Sequence, residues 1–232
     1  TRLFSTLYHR TLNVGRVMTP TLALVVERES AIENFKKQKF YMVELDCGFR
    51  AVSERMEQRK DVDKLRAACE GQTLTVTGVE QTVKTAKPPK LYDLTSLQRD
   101  GNRLFGYTAQ QVLDYAQALY EKKLLTYPRT DSNYLTEDMA DRVPALAELS
   151  VKLLPFSPPF ALADAGRVID SSKVSDHHAL LPTMQTTEDA LASLPAGERN
   201  VLTLVMVRLL CAVGEIHQYE DTAVRLERSG AV

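Results

Sequence analysis

The chain has 232 residues, of which 44% are hydrophobic and 25% charged, a balance typical of a soluble globular protein with one large or two ordinary domains. A formal net charge of −1 excludes a strongly basic nucleic-acid binder on total charge alone. No apolar run reaches membrane-spanning length, no signal peptide is visible, and the three separated cysteines support neither a CxxC metal pair nor a disulfide framework. We therefore expect a cytoplasmic protein.

The first ninety residues predict a helix followed by strands. Thr19 is predicted to be the N-cap of the first helix, with Pro20 at its first helical position and apolar residues recurring at helical spacing. Alternating apolar residues over 41–51 predict one long, half-buried strand. A short helix over 61–69 and a second strand over 74–83 are predicted to follow.

The next part of the chain, residues 93–214, is predicted to be mainly helical. A threonine or serine is expected to cap its first helix, and Thr108 with Gln111 predicts a capping box for the next one. The run over 197–213 is apolar on nearly every side, which predicts a buried helix. Strand-like sequence returns over 217–227.

This order of elements predicts an α+β, multidomain architecture. A mainly helical insert is flanked by antiparallel strands, which implies that the chain leaves one β domain and re-enters it. We expect domain boundaries near residues 40, 90 and 215. The segment 84–103 is locally basic, although the chain as a whole is not, and it is either a solvated surface or an anion-binding one.

The stretch TYPRTDS, residues 126–132, is the first candidate for chemistry. Tyr127 precedes a proline and is therefore expected in extended chain, where period two places Tyr127, Arg129 and Asp131 on one face. A phenol, with a pKa near ~10, becomes a usable nucleophile when a guanidinium stabilises its phenolate. The same guanidinium can bind a phosphate through two hydrogen bonds. Taken alone, a packed tyrosine beside a surface arginine explains the motif as well.

A second candidate is SDHHALLPT, residues 175–183. Adjacent histidines in extended chain point in opposite directions, so His177 and His178 are poorly placed to share a metal ion. Either imidazole can donate a hydrogen bond to a phosphate. Standing alone, such a pair is also compatible with an ordinary polar loop.

A third candidate is NVGRVMTPT, residues 13–21. Here Arg16 and the free backbone amides after Thr19 are expected at a helix N-terminus, where anions bind readily. An ordinary helix cap is the alternative explanation.

Together, the three stretches resemble the type IA DNA topoisomerases. TYPRTDS resembles the active-site motif of that family, DHHALLPT resembles its DHHAIIPT motif, and NVGRVMTPTLALVV resembles its GRVQTPTL segment. Residues 91–121 resemble the helical approach to the active site. The likeness covers nearly the whole chain in the family's order, and YPRT combined with DHHA favours the topoisomerase III branch.

The resemblance implies an enzyme that passes DNA strands. Tyr127 would attack a phosphodiester of single-stranded DNA to form a 5′-phosphotyrosine link, and rejoining would need no ATP. Arg129 would stabilise the scissile phosphate or the phenolate, and His177 would contact the phosphate. Further residues match positions that bind DNA in the family: Arg16, Thr19, Thr130, Ser132 and His178. Met18 departs from the usual glutamine, and Gly101 replaces a commoner alanine at a mild cost in helix propensity.

The resemblance also implies parts that this sequence lacks. We interpret the chain as a central fragment without the family's N-terminal Toprim domain, which carries an acid/base glutamate and aspartates for Mg²⁺. We therefore expect Mg²⁺ in the intact enzyme, no metal site in this fragment, no supercoil relaxation by the fragment alone, and a parent protein associated with the nucleoid. The implied domains are the end of a strand-gripping domain, the first part of a β arch, the tyrosine-bearing helical domain and the β arch's return strand: residues 1–40, 41–90, 91–215 and 216–232.

Two other classes remain as alternatives. A non-enzymatic helix-turn-helix module would suit the capped helices and basic approach, but no helix presents a dense Arg, Asn and Gln face for reading bases. A rolling-circle relaxase also uses tyrosine on DNA, but it requires two histidines on one side of a strand, which an adjacent pair does not provide.

Overall fold

The computed structural model of the protein describes residues 2–12, 14–154 and 160–228. In chain order the elements are α1 (Arg2–Leu7), α2 (Met18–Glu33), β1 (Glu44–Asp46), β2 (Arg50–Val52), α3 (Arg59–Cys69), β3 (Leu74–Ala86), α4 (Leu94–Phe105), α5 (Ala109–Glu121), α6 (Arg142–Leu153), α7 (Glu188–Ser193), α8 (Ala196–Val213) and β4 (His217–Arg228). Short 3₁₀ turns occur at Glu137–Met139, Ala165–Val168 and Ser171–Lys173. No helix of the described ranges is long and apolar enough to cross a membrane.

The chain divides into two compact units. The first takes the residues up to Val79 and those from Val224 onward, and the second takes Glu80–Ala223. The division falls within β3 and β4, which are paired with each other. Because Gly78 approaches Arg225 while Gln81 bonds Glu220, the pair is antiparallel. The predicted α+β class, with a helical insert flanked by antiparallel strands, is therefore confirmed.

In the first unit, the prediction of one long strand over 41–51 is wrong. The segment is a hairpin in which β1 and β2 pair antiparallel, with Leu45 opposite Ala51. Gly48, at φ +89°, makes the reversal in a left-handed conformation that suits glycine. In this register odd-numbered residues pair with odd-numbered residues and even with even. The alternation of apolar and polar residues therefore continues unchanged through the turn, and the sequence resembles that of a single strand.

The prediction that Thr19 caps α2 is also wrong. The helix begins two residues earlier than predicted, at Met18, and its N-cap is Val17, which makes no side-chain capping bond. The Thr19 hydroxyl instead accepts a hydrogen bond from the amide of Gly15, at 3.1 Å. None of the residues of α2 is buried, so its apolar stripe faces outward in this structure.

The core of the second unit is built around α8. The buried face of this helix contributes to two apolar clusters, one shared with α4 and α5 and the other with α6. The predicted burial of this helix is confirmed, with Val201, Leu202 and Leu209 fully buried. Burial of side chains of this size contributes about 1.5–3 kcal/mol each, which makes α8 the main support of the unit.

Capping explains where α4 and α5 begin. Thr108 and Gln111 form the predicted capping box of α5, with reciprocal bonds of 3.2 and 2.9 Å. The cap of α4 is Asp93 rather than the predicted threonine or serine, and Ser96 completes the box from the third helical position. Aspartate is as good an N-cap as serine, and its charge also suits the helix dipole.

A half-buried polar cluster ties α4 to α8. The Tyr92 hydroxyl donates to the Asp100 carboxylate at 2.6 Å, and Arg208 bonds both Asp100 and the Tyr92 hydroxyl while its guanidinium lies 4.1 Å from the Tyr92 ring centroid. Burial and the bond to Asp100 raise the pKa of Tyr92 to about 12. Burial opposes ionisation of Asp100, but bonds from Tyr92 and Arg103 and the charge of Arg208 outweigh it and lower the pKa of that carboxyl.

Replacing Arg208 with methionine should remove the less exposed of the two cations paired with the Asp100 carboxylate. We expect urea denaturation at pH 7 to show a loss of about 1–3 kcal/mol in the free energy of unfolding. The exposed partner Arg103 is a matched control, and Arg103→Met should cost less than about 0.5 kcal/mol. Because the pKa of Asp100 is lowered, its contribution is present above the ordinary carboxyl pKa and disappears as pH falls through the lowered value. Equal losses in the two variants would contradict this account.

Gly101 is required by packing rather than tolerated as a weak helix former. A Cβ at this position would lie 2.7 Å from Cγ2 of Val112 on α5. Gly101→Ala gains up to about 1 kcal/mol in helix propensity but overpacks the contact by about 1–3 kcal/mol, so we expect net destabilisation in urea denaturation. Adding Val112→Ala should relieve the clash, so the double variant should lose less than the two single losses combined. A stabilised Gly101→Ala protein would overturn this prediction.

Candidate active site

The two central motifs lie side by side in the second unit. The amide of Thr126 donates to the carbonyl of Leu181, and the amide of Leu181 donates to the Thr126 hydroxyl, both at 3.0 Å. Leu125 forms an antiparallel bridge with Pro182, and Tyr134 accepts from the amide of Ala179. The stretches 126–132 and 175–183, far apart in sequence, therefore run together as one extended platform.

Helix α5 delivers Tyr127 to this platform. The chain leaves the helix through Lys123, whose φ of +60° is unusual for a residue other than glycine. The carbonyl of Lys123 accepts a hydrogen bond from the Thr183 hydroxyl, which supports this turn from the second motif. The prediction that Tyr127 leaves the helix into extended chain is confirmed.

Tyr127 is half-buried between two other aromatic rings. Its ring centroid lies 4.4 Å from that of His177 and 5.4 Å from that of Tyr120, which meets it edge-on. Among the described residues, the Tyr127 hydroxyl has no hydrogen-bond partner. The ring is therefore held by packing while its oxygen stays free to react.

The predicted alternation along TYPRTDS is present. Pro128, Thr130 and Ser132 are buried, whereas Arg129 and Asp131 are exposed. Arg129 makes no hydrogen bond or ion pair within the described part of the chain. A guanidinium on the same face as Tyr127 and without an internal partner is available to an anionic ligand.

The structure separates the two histidines as predicted. His177 is exposed and lies against Tyr127, whereas His178 is half-buried, with Nδ1 2.7 Å from the carbonyl oxygen of Ala179. His178 also borders an open cleft of about 560 Å³ beside the tyrosine. The residues that line this cleft come from the end of α5, the turn after it, TYPRTDS, and the second motif with the residues just beyond it: Tyr120, Glu121, Lys123, Leu125, Thr126, Tyr127, His178, Thr183 and Gln185.

Thr130 and Ser132 use their hydroxyl groups inside the protein. Thr130 donates to the carbonyl of His177 at 2.8 Å and accepts from the amide of Ser132 at 3.1 Å. Ser132 donates to the carbonyl of Lys173 at 2.9 Å and accepts from the amide of Tyr134 at 3.1 Å. Their predicted contacts with DNA stay predictions, but Thr130 bonds the second motif directly and Ser132 bonds Lys173, two residues before it.

Arg16 and Thr19 belong to the first unit, and both are exposed. The backbone amide of Thr19 already donates to Gly15, and that of Thr21 to Val17, each at 3.1 Å. The prediction of free amides after Thr19 is therefore wrong for Thr21, the first residue after Thr19 that has an amide hydrogen. Arg16 makes no ion pair among the described residues, so its side chain alone carries the expected attraction for anions.

Two residues of the site were not identified from the sequence. Tyr120 lies near the end of α5, where it is 41% exposed and packs on Tyr127. Its position seven residues before Tyr127, near the helix end, was the available signal. Thr126 was quoted within the motif without a role, and nothing local predicts its bond to Leu181.

Within the described ranges, no group of three or more His, Cys, Asp or Glu side chains is placed to hold a metal ion. The three cysteines are free thiols. Beside Tyr127 lie the imidazole of His177, the guanidinium of Arg129 and, among the described residues that line the cleft, a single carboxylate, that of Glu121. The two cations suit a phosphate anion, whereas Mg²⁺ prefers several oxygen ligands, commonly carboxylates. The residues present therefore do not fit a magnesium site.

Comparison with known proteins gives consistent matches. The family model described as DNA topoisomerase matches residues 1–232. The DNA topoisomerase 3 of Bacillus cereus is 34% identical over 241 residues, which covers 97% of this chain and 32% of that protein. The DNA topoisomerase 3 of Staphylococcus saprophyticus is 35% identical over 237 residues, covering 98% and 33%.

Among solved structures, full-length topoisomerase I from Thermotoga maritima matches with a TM-score of 0.71 at 25% identity, over 94% of this chain and 37% of that one. The chain thus spans about a third of the length of the curated relatives it matches.

Proposed function

The chain belongs to the type IA DNA topoisomerase family, on the branch of the DNA topoisomerase 3 proteins, and from this we propose that Tyr127 is the nucleophile with which the complete protein cleaves single-stranded DNA. The observation that carries the proposal is a phenol without a hydrogen-bond partner in the described chain, held against the imidazole of His177 at 4.4 Å between ring centroids.

The proposed step is a transesterification. The Tyr127 oxygen attacks the phosphorus of a phosphodiester and becomes bonded to the 5′ phosphate of one nucleotide. The bond between that phosphorus and the 3′ oxygen of the preceding nucleotide breaks, and this oxygen takes up a proton to become a 3′ hydroxyl. The phenolic proton passes to a base. Rejoining reverses the step, since the 3′ hydroxyl attacks the phosphotyrosine and releases the phenol. One ester is exchanged for another, so ATP is not consumed.

The side chains around Tyr127 supply charge and orientation for this step. Arg129 is exposed and has no partner among the residues that the structure describes, so it can bind a phosphate through two hydrogen bonds and stabilise charge that grows in the transition state. His177 is exposed beside the nucleophile and can donate to the same phosphate. We assign His178, which borders the cleft, to a neighbouring DNA contact.

The remaining parts of the reaction belong to the longer protein. We propose that Mg²⁺ and an acid/base glutamate act from a Toprim domain and that strand passage relaxes or decatenates DNA. We place the complete enzyme in the cytoplasm, on the nucleoid, and propose that this chain alone does not relax supercoils. The support is the share of the relatives that the chain covers, about a third, and the absence of a metal cluster from its described residues.

The nucleophile is tested by covalent capture. The complete protein, incubated with an end-labelled single-stranded oligonucleotide and Mg²⁺, should form an adduct that resists denaturing electrophoresis. Tyr127→Phe should abolish the adduct because the ring remains but the attacking oxygen is gone. Tyr120→Phe, which alters the neighbouring ring in the same way, is the matched control and should retain it. The isolated 232-residue chain, assayed beside them, should not relax supercoiled DNA. An adduct that survives Tyr127→Phe would exclude this residue as the nucleophile.

Phosphate contact by Arg129 is tested through salt. Binding of the complete protein to a single-stranded oligonucleotide should weaken steeply as salt rises, because bound cations are released from the phosphates. Arg129→Gln should lower the slope of log K against log salt by about 1, whereas Arg59→Gln, on α3 of the first unit, should leave it unchanged. A slope unaffected by Arg129→Gln would place this side chain away from the phosphate.

A further inference from the structure

Two threonine hydroxyls lie on either side of Tyr127, and both bond the second motif. Thr126 accepts from the amide of Leu181 at 3.0 Å, and Thr130 donates to the carbonyl of His177 at 2.8 Å. The Thr126 bond belongs to a longer run of backbone pairing, whereas the Thr130 bond ends on the histidine that contacts the tyrosine ring. The Thr126 bond therefore supports the pairing of the two motifs, whereas the Thr130 bond fixes the backbone of His177.

Within the described ranges, the bond from Thr130 is the one hydrogen bond made by the main chain of the histidine loop, residues 175–178. Among the described residues, no backbone amide of this loop donates a hydrogen bond, and the carbonyl of His177 is its one main-chain acceptor. Side-chain attachments of the loop are a long bond of 3.4 Å between the hydroxyl of Ser175 and Asp131, the contact of the exposed His177 ring with Tyr127, and the contact of His178 with the carbonyl of Ala179. The next main-chain bond is that of the Ala179 amide to Tyr134, so removal of the Thr130 hydroxyl would loosen the backbone at His177 while its C-terminal neighbour stays fixed.

Thr130 itself is firmly held. It is 6% exposed, its hydroxyl also accepts from the amide of Ser132, and its carbonyl accepts from the amide of Leu94 at the start of α4. Both the donor and an acceptor of the hydroxyl are thus occupied inside the protein. A hydroxyl bonded in this way holds the backbone of His177 in a fixed position, and it is poorly placed to bind a DNA phosphate instead.

We propose that Thr130 is a positioning residue for His177: its hydroxyl holds the histidine loop so that the imidazole meets the phosphate bound at Tyr127. This inference rests on the proposed function and assigns Thr130 a role through His177 rather than a DNA contact of its own. A displacement of about 1 Å at a reacting centre can reduce a rate about 100-fold, so one anchoring bond is sufficient to matter.

The test compares adduct formation under single-turnover conditions in variants of the complete protein. Thr130→Val keeps the shape of the side chain but removes the hydroxyl, and we expect a fall of about 10-fold or more in the rate. Thr130→Ser restores the donor and should recover most of the rate. Thr186→Val is the matched control, because this buried threonine also donates to a carbonyl, that of Leu124, away from the histidine loop, and its rate should stay near wild type.

A double-mutant cycle separates positioning from general stability. If Thr130 acts through His177, then Thr130→Val should add little to the loss already caused by His177→Ala, and both single variants should show the same change in the pH profile of the rate. Thermal unfolding is measured for each variant. If Thr130→Val does not fold, then Thr130→Cys, which has similar volume and a weak donor, takes its place in the cycle and should show the same dependence on His177.

The outcomes are distinct. A loss from Thr130→Val that is equally large in the His177→Ala background would overturn the inference, as would a rate equal to wild type. If the wild-type protein forms no adduct at all, or if Tyr127→Phe still forms one, the proposed function fails instead. A normal adduct with an unaffected Thr130→Val variant therefore removes the positioning role and leaves the nucleophile in place.

Discussion

The candidate site depends on backbone pairing between two segments that are distant in sequence. Thr126 and Leu181, which bond each other twice, are 55 residues apart, and Leu135 exchanges bonds with Val168 and Asp170 farther along. Closing such loops costs chain entropy before any contact compensates. The compensation comes from the apolar residues between the paired groups, since Leu125 and Leu180 enter one core cluster and Leu181 enters the other. Tyr127 and His177 meet because this burial makes the pairing stable.

The fold was predictable from the sequence where local chemistry decides it. The capping box at Thr108 and the uniformly apolar α8 were identified because they depend on neighbouring residues alone. The hairpin at Gly48 was missed because its register pairs residues of the same parity, which leaves the alternation intact across the turn. The start of α2 was misplaced because the Thr19 hydroxyl bonds backward to Gly15 instead of capping forward, a choice between two nearly equivalent local bonds.

Within each of the two motifs the sequence predicted which side chains share a face, but it did not predict which residues of one motif contact the other. The proline after Tyr127 and the period of extended chain were sufficient to put Arg129 on the tyrosine's face. Resemblance to a known family was needed to connect Tyr127 with His177, because no local pattern reports which residues meet across a 50-residue separation. The sequence also does not reveal that the hydroxyl of Thr130 bonds His177, 47 residues away. The alternating burial of residues in TYPRTDS shows that Thr130 faces inward. This burial can be seen only in the folded structure, where the second motif covers that side of the segment.

The strand pair at the two ends of the helical unit has a consequence for how that unit is connected. Lys84 forms an ion pair with Asp221, so the chain enters and leaves the unit at neighbouring positions. Domains whose ends lie close together tolerate insertion into a loop of another protein, because the host chain needs only a short gap to accommodate them. The tyrosine-bearing unit therefore has the connectivity of an inserted domain. Its two ends lie at one strand pair, which makes it suited to transfer into another protein as a single segment.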